Sequence, residues 1–355
     1  MKAILTWVAA ALIMQLAIAD NPKKPGKCQA LAMRGGGTKG AYEVGALKAM
    51  IEALPPEDVA YDVVVGVSIG GVNAGLLAMF EIGKEAEAVD YLYELWLANP
   101  VTTIWQNWPW LGPFEGLIRS SVLDNSPFLA LLQKAQENVE ERQGSTGFKR
   151  GLAIQSVDLD TGEIVIFDET TPRDKIAHAI KSSASIPIFF PPELMDDRAL
   201  VDGGLFTNLD LSEAVLNCRE KGYDDRDIII DVIMCFDKVV EIPQWTPGEV
   251  KYKNAYELFA RKEAYIDFYY YYEDLTRVVR GYPEVEFRHL LTPRVPLEGG
   301  FVPIFDGRES IEFLLKQGEE DGRAHMEHYL EQVRNETGAS PRVKTAFDSL
   351  LEFIP

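Results

Sequence analysis

The sequence predicts an α/β fold, as one large domain or two smaller ones, in a chain of 355 residues. Three observations predict it. Residues 29–33 form a short apolar run that enters the glycine loop Arg34-Gly35-Gly36-Gly37-Thr38-Lys39-Gly40 and then a helical pattern. The β-branched run Val63-Val64-Val65 enters Gly66-Val67-Ser68-Ile69-Gly70 and a second helical pattern over 72–79. A third apolar run, 228–236, reads as a fully buried strand. Strand, glycine turn and helix in succession are the units of a sheet whose strands run parallel.

In chain order, Met1-Lys2 precedes an apolar run over 3–19 interrupted only by Thr6 and Gln15, and Ala17 and Ala19 stand before Asp20. This reads as a cleaved secretory signal over 1–19, with an uncleaved anchor as the alternative. A polar linker follows over 20–27. The helix after the first glycine loop carries Tyr42, Val44, Leu47, Ala49 and Met50. After the second comes an amphipathic helix over 81–99, with Tyr91, Leu92, Leu95 and Trp96 on one side. Residues 105–114 hold three tryptophans in six positions, with two prolines, and argue against regular structure. Such a segment can line an acyl pocket, touch a lipid interface, or pack as an irregular loop.

Residues 122–143 predict a helix capped at Asp124 or Ser126, with Pro127 in its first turn. Strands are expected over 151–157 and 163–167, joined across Asp160-Thr161-Gly162, then a helix over 175–183. A short strand ends in an acid at Asp202-Gly203-Gly204. Beyond the run at 228–236, residues 255–280 predict a helix with Tyr265, Phe268, Tyr269 and Tyr272 as a core stripe. Residues 308–337 read as a helix pair, and Asn335-Glu336-Thr337 as a glycosylation sequon. The part after 215 is expected to pack on the same domain.

A net charge of −20 argues against a nucleic-acid partner and against electrostatic docking on anionic lipid. Cys28, Cys218 and Cys235 allow at most one disulfide, and at this size none is needed. Cys235 reads as core. No Cys-x-x-Cys, His-Glu-x-x-His or EF-hand spacing occurs, so no metal and no cofactor are expected.

Ser68, between a strand and a helix with glycines two before and two after, has the setting of a nucleophile. The loop Gly35-x-Gly37-x-x-Gly40 admits two readings. It can cradle a pyrophosphate, with Asp58 as ribose ligand, in a dinucleotide-dependent oxidoreductase. It can also hold an oxyanion formed at a nearby serine. The next strand ends at Ser68 rather than in an acid, which favours a hydrolase. Backbone N–H groups of Gly36 and Gly37, with Ile69, would be the donors. For the base, Ser68 and Asp202 with His289, His325 or His328 would satisfy a hydrolase triad. None of these histidines follows a strand into a glycine turn, whereas Asp202 does. A desolvated aspartate can serve alone.

Four ordered segments, Arg34 to Gly40, Gly66 to Gly70, Ala184-Ser185-Ile186-Pro187 with Phe190-Pro191-Pro192, and Asp202-Gly203-Gly204, resemble the motifs of patatin-like phospholipases over about 28–215. The resemblance implies a three-layer α/β/α fold with a central, mainly parallel sheet. It implies Ser68 as nucleophile, Asp202 as base, and Gly36 and Gly37 as oxyanion donors. The activity implied is calcium-independent hydrolysis of phospholipid or neutral-lipid esters, on a membrane or micelle surface. The chain departs from the family where Asn-x-Pro is usual and Asn208-Leu209-Asp210 stands. A different class, a secreted storage or lipid-carrying protein with a decayed site, is opposed by the intact Ser68–Asp202 pair.

Overall fold

A computed structural model describes residues 26–236, 245–297 and 307–335. The expected signal over 1–19, most of the expected linker and all but the first residue of the sequon lie outside them. Eight strands form one sheet: β1 Cys28–Met33, β2 Val63–Val67, β3 Gly151–Asp158, β4 Ile164–Phe167, β5 Glu193–Met195, β6 Arg198–Asp202, β7 Ile228–Ile233 and β8 Glu286–Leu291. The order is β5-β6-β3-β2-β1-β7-β8, with β4 also paired to β3. Pairings β3–β2, β2–β1, β1–β7 and β7–β8 are parallel; those of β4, β5 and β6 are antiparallel.

The helices are α1 Gly40–Ala53, α2 Ile69–Ala78, α3 Glu85–Ala98, α4 Ser126–Gln143, α5 Ile176–Ser183, α6 Leu211–Glu220, α7 Ala255–Gly281 and α8 Arg308–Asn335. The central strands look uniformly apolar, yet they alternate between two cores. Leu31, Met33, Val64, Leu152 and Ile154 join the core under α1 to α5 and α8. Ala30, Ala32, Val63, Val65 and Ala153 join a second core under α6 and α7. Two helical layers thus enclose a mainly parallel sheet. From β1 the chain winds outward to β2 and β3, then returns to place β7 and β8 on the other side. The crevice past the end of β1 is therefore where a ligand is expected.

Several expectations change. The segment 308–337 is a single helix as far as it is described. Gly318 and Gly322 in it allow close packing: a Cβ on Gly318 would lie 2.1 Å from the Tyr42 carbonyl oxygen. The sequence indicated neither β5 nor β8. The N-cap of α4 is Asn125, between the two residues expected; Asp124 instead accepts the Ser126 N–H at 2.9 Å. Of the stripe in α7, Tyr265 is partly exposed rather than core; the side chains of Phe268, Tyr269 and Tyr272 lie outside the described part. Cys28 and Cys218 form a disulfide that ties β1 to α6. No helix among the described residues is long and apolar enough to cross a membrane.

Candidate active site

Ser68 sits between the end of β2 and the first residue of α2, with φ 53° and ψ −126°. A non-glycine residue held there costs of order 1–3 kcal/mol, so the surroundings must enforce it. The two flanking glycines make the turn possible. A Cβ on Gly66 would lie 2.2 Å from the Gly70 oxygen, and one on Gly70 would lie 2.4 Å from the Met33 oxygen. The Ser68 N–H donates to Ser183 Oγ at 3.0 Å, and the Ser183 hydroxyl donates to the Gln155 oxygen at 2.6 Å. That chain locks the turn against β3.

Asp202 arrives from the opposite direction. β2 runs parallel to β3 and ends with Val67 opposite Gln155. β6 runs antiparallel to β3 and ends with Asp202 opposite Ser156. The two strand ends therefore meet beside consecutive residues of β3. Ser68 Oγ donates to Asp202 Oδ2 at 2.6 Å, and Asp202 Oδ1 accepts the Gly204 N–H at 2.7 Å. Both side chains are buried. Burial pushes the Asp202 carboxyl up to about 7, against hydrogen bonds from Ser68 and Gly204 that favour the charged form.

The glycine loop lies across this pair. Gly35 N–H donates to the Asn208 oxygen at 2.8 Å, and a Cβ on Gly35 would lie 2.9 Å from Ser68 Cβ. Gly37 takes φ 60°, the left-handed region. The N–H groups of Gly36, Gly37 and Ile69 donate to no acceptor among the described residues. Cys235, just past β7, is buried behind the loop; a Cβ on Gly36 would lie 2.3 Å from its Sγ. Burial pushes the Cys235 thiol up to about 12, consistent with a packing role. Arg34 is buried, donates to the Gly35 oxygen at 2.7 Å and lies 5.2 Å from the Phe236 ring centroid.

Sequence reasoning missed the support beneath the loop. Asn73 Nδ2 donates to the Gly40 oxygen at 3.0 Å and to Glu43 Oε2 at 3.2 Å, while Asn73 Oδ1 accepts Trp96 Nε1–H at 3.1 Å. Glu43 is wholly buried, and burial pushes its carboxyl well above the usual range. Nothing local in the sequence joins positions 43, 73 and 96. Ser183 and Asn208 were also missed as supports, although both stand in or beside motif segments.

A cavity of about 110 Å³ opens at Ser68, with Gly37, Thr38 and Ile69 lining the same end. Leu76, Leu92, Leu132, Trp96 and Phe128 are among the apolar side chains around it. None of Trp105, Trp108 and Trp110 lines it, and neither does any histidine. His178 pairs with Glu193, His289 with His325, and His328 with Gln332. The triad alternative therefore has no histidine at Ser68 or Asp202. The dinucleotide alternative also fails on placement. Asp58 lies in the turn before β2, at the N-terminal ends of the parallel strands, whereas the glycine loop follows the C-terminal end of β1. Among the described residues no group of three or more His, Cys, Asp or Glu is placed to hold a metal.

The sequence model described as Patatin-like phospholipase matches residues 31–215, just over half of the chain. The chain is 25% identical over 228 residues to "Probable lipid hydrolase 463L" of Invertebrate iridescent virus 6, covering 62% of this chain and 76% of that protein. Among solved structures, VipD from Legionella pneumophila aligns with TM-score 0.40 and 14% identity, over 86% of this chain and 68% of that one. Human GIVD cytosolic phospholipase A2, in complex with methyl gamma-linolenyl fluorophosphonate, aligns with TM-score 0.39 and 12% identity, over 90% and 61%.

Proposed function

The chain belongs to the patatin-like phospholipases, a family of lipid hydrolases, and we propose that it cleaves carboxylic esters of phospholipids or other acyl lipids through an acyl-enzyme on Ser68. The acyl chain occupies the apolar cavity and its carbonyl lies over Ser68. Ser68 Oγ attacks the carbonyl carbon while its proton passes to the Asp202 carboxylate 2.6 Å away. The oxyanion is held by the N–H groups of Gly36 and Gly37, with Ile69 beside the nucleophile. One such donor is typically worth about 3–4 kcal/mol of barrier. Collapse breaks the ester C–O bond, and the leaving alkoxide takes the proton from Asp202. Water then attacks the acyl-enzyme, Asp202 again taking a proton, and releases the fatty acid with Ser68 restored.

One observation carries this reading: the short Ser68–Asp202 hydrogen bond in a buried site at the mouth of an apolar cavity. The carboxyl near 7 supports it, because a base of that strength is about half ionised at neutral pH and accepts a proton readily. The test is hydrolysis of a chromogenic acyl ester by folded Ser68→Ala and Asp202→Asn proteins. Each is expected to lose activity. Retention by either would exclude the dyad.

Location in the secretory pathway completes the proposal. It is supported by the apolar N-terminal segment and by the Cys28–Cys218 pairing, which suits an oxidising compartment.

A further inference from the structure

Residues 104–118 contain a single charged side chain, Glu115, in a chain carrying 55 acidic residues. That carboxylate is buried and used up within the loop. Glu115 Oε1 accepts the N–H groups of Trp110 and Leu111 at 2.8 and 3.1 Å, and Oε2 pairs with Arg119. The Arg119 guanidinium in turn lies 4.3 Å from the Trp108 ring centroid. With its polar groups satisfied internally, the loop turns its apolar side chains outward. Trp110, Phe114, Leu117 and Ile118 are between 73% and 87% exposed. Single exposed apolar residues are ordinary; a cluster of four large ones within nine positions marks a contact surface.

The loop rises from the rim of the cavity. At its base, Gln106 and Asp124 exchange backbone hydrogen bonds of 2.8 and 3.0 Å. Its return limb is tied to the 186–190 segment, Val122 N–H donating to the Ile188 oxygen and Leu123 N–H to the Phe189 oxygen. Ile104, Phe128, Ile186 and Phe190, which flank these ties, all line the cavity. Ile188 adds to the same surface. It is a β-branched residue held at φ 74°, and its side chain is 71% exposed.

We propose that this surface seats the protein on an uncharged or zwitterionic phospholipid bilayer, with Trp110, Phe114, Leu117, Ile118 and Ile188 entering the interface beside the cavity mouth. The proposal rests on the lipid-hydrolase reading of Ser68 and says how that site meets its substrate. Two features select the partner. The patch adjoins the cavity that receives the acyl chain, and it is charge-neutral while the whole chain stands at −20, which disfavours anionic lipid. The attraction is apolar, with tryptophan at the level it favours in an interface.

The test uses the full chain carrying Ser68→Ala, so that binding is read without turnover. It is expected to float with phosphatidylcholine vesicles, and about 1 M salt is expected to leave that binding intact. Lipids carrying a quencher on the acyl chain are expected to quench its tryptophan fluorescence. Adding Leu117→Ser and Ile118→Ser is expected to weaken vesicle partition roughly a hundredfold, the loss of two large apolar side chains from the interface. The proposal is overturned if that variant floats as well as its parent, or if binding requires anionic lipid and vanishes in salt. It is also overturned if the patch proves to be covered by a second copy, seen as a dimer that the double change dissociates. A protein that floats but hydrolyses no lipid would sink the hydrolase reading and leave this surface standing.

Discussion

Replacing Asp202 with asparagine separates what the carboxylate does in chemistry from what it costs the fold. Asparagine keeps the shape: its Oδ1 can still accept the Gly204 N–H, and its amide can donate to Ser68 Oγ. Ionisation is what changes. In the unfolded chain Asp202 loses its proton near the ordinary value of about 3.9. In the native protein burial holds that proton up to about 7. Between these two values the native state binds more protons than the unfolded state, so rising pH destabilises the wild type. At about 1.4 kcal/mol per pH unit, the penalty grows to roughly 4 kcal/mol and levels off above pH 7. Asp202→Asn removes it. Denaturant unfolding is therefore expected to show wild type and variant nearly matched at pH 4, with the variant ahead by up to about 4 kcal/mol at pH 8. The variant is expected to be inactive at both. Wild-type kcat/KM on a soluble ester is expected to rise with pH and level off past a midpoint near 7, because the base must be ionised. A stability gap that does not change from pH 4 to 8, or a rate limb near pH 4, would refute the burial argument.

Gly36→Ala places a Cβ 2.3 Å from Cys235 Sγ but 3.8 Å from Cys235 Cβ. Turnover of an acyl ester is expected to fall by about tenfold or more, and Cys235→Ala in the same chain is expected to restore most of it. Replacing His178, His325 or His328 singly is expected to leave kcat/KM within about twofold, since none touches the cavity; a loss above a hundredfold in a folded variant would revive the triad. Opening the Cys28–Cys218 bridge, which closes a separation of 190 residues, is expected to lower unfolding free energy by about 2–5 kcal/mol. Denaturation of the Cys28→Ser/Cys218→Ser protein measures it.

What the sequence revealed and what it hid follow from how locally each feature is determined. Ser68 was legible because the glycines its turn needs stand two before and two after it, although only Gly66 is required by a contact within the turn and Gly70 is required by the end of β1. Asp202 was legible as an acid at a glycine turn, but its meeting with Ser68 depends on the registers of β2 and β6 against β3. β8 escaped because Glu286-Phe287-Arg288-His289 reads as too polar for a strand. Arg288 donates to both Asp231 carboxylate oxygens on β7, at 3.0 and 2.6 Å, and to the Asp58 backbone oxygen at 2.6 Å, partners that no local pattern shows. β5 escaped for its length of three residues, closed by a turn in which Asp196 and Asp197 both take positive φ. The burial of Arg34 was not legible, because it sits against Phe236, two hundred positions away. The Glu43–Asn73–Trp96 support was invisible for the same reason.

Covalent capture tests the central claim most directly. A long-chain alkyl fluorophosphonate is incubated with wild type and with Ser68→Ala, and the adduct is located by peptide mass spectrometry. The Ser68–Asp202 account expects one phosphonylated residue, Ser68, in the wild type and no adduct in Ser68→Ala. An adduct on another serine, or a folded wild type that resists labelling, would contradict it.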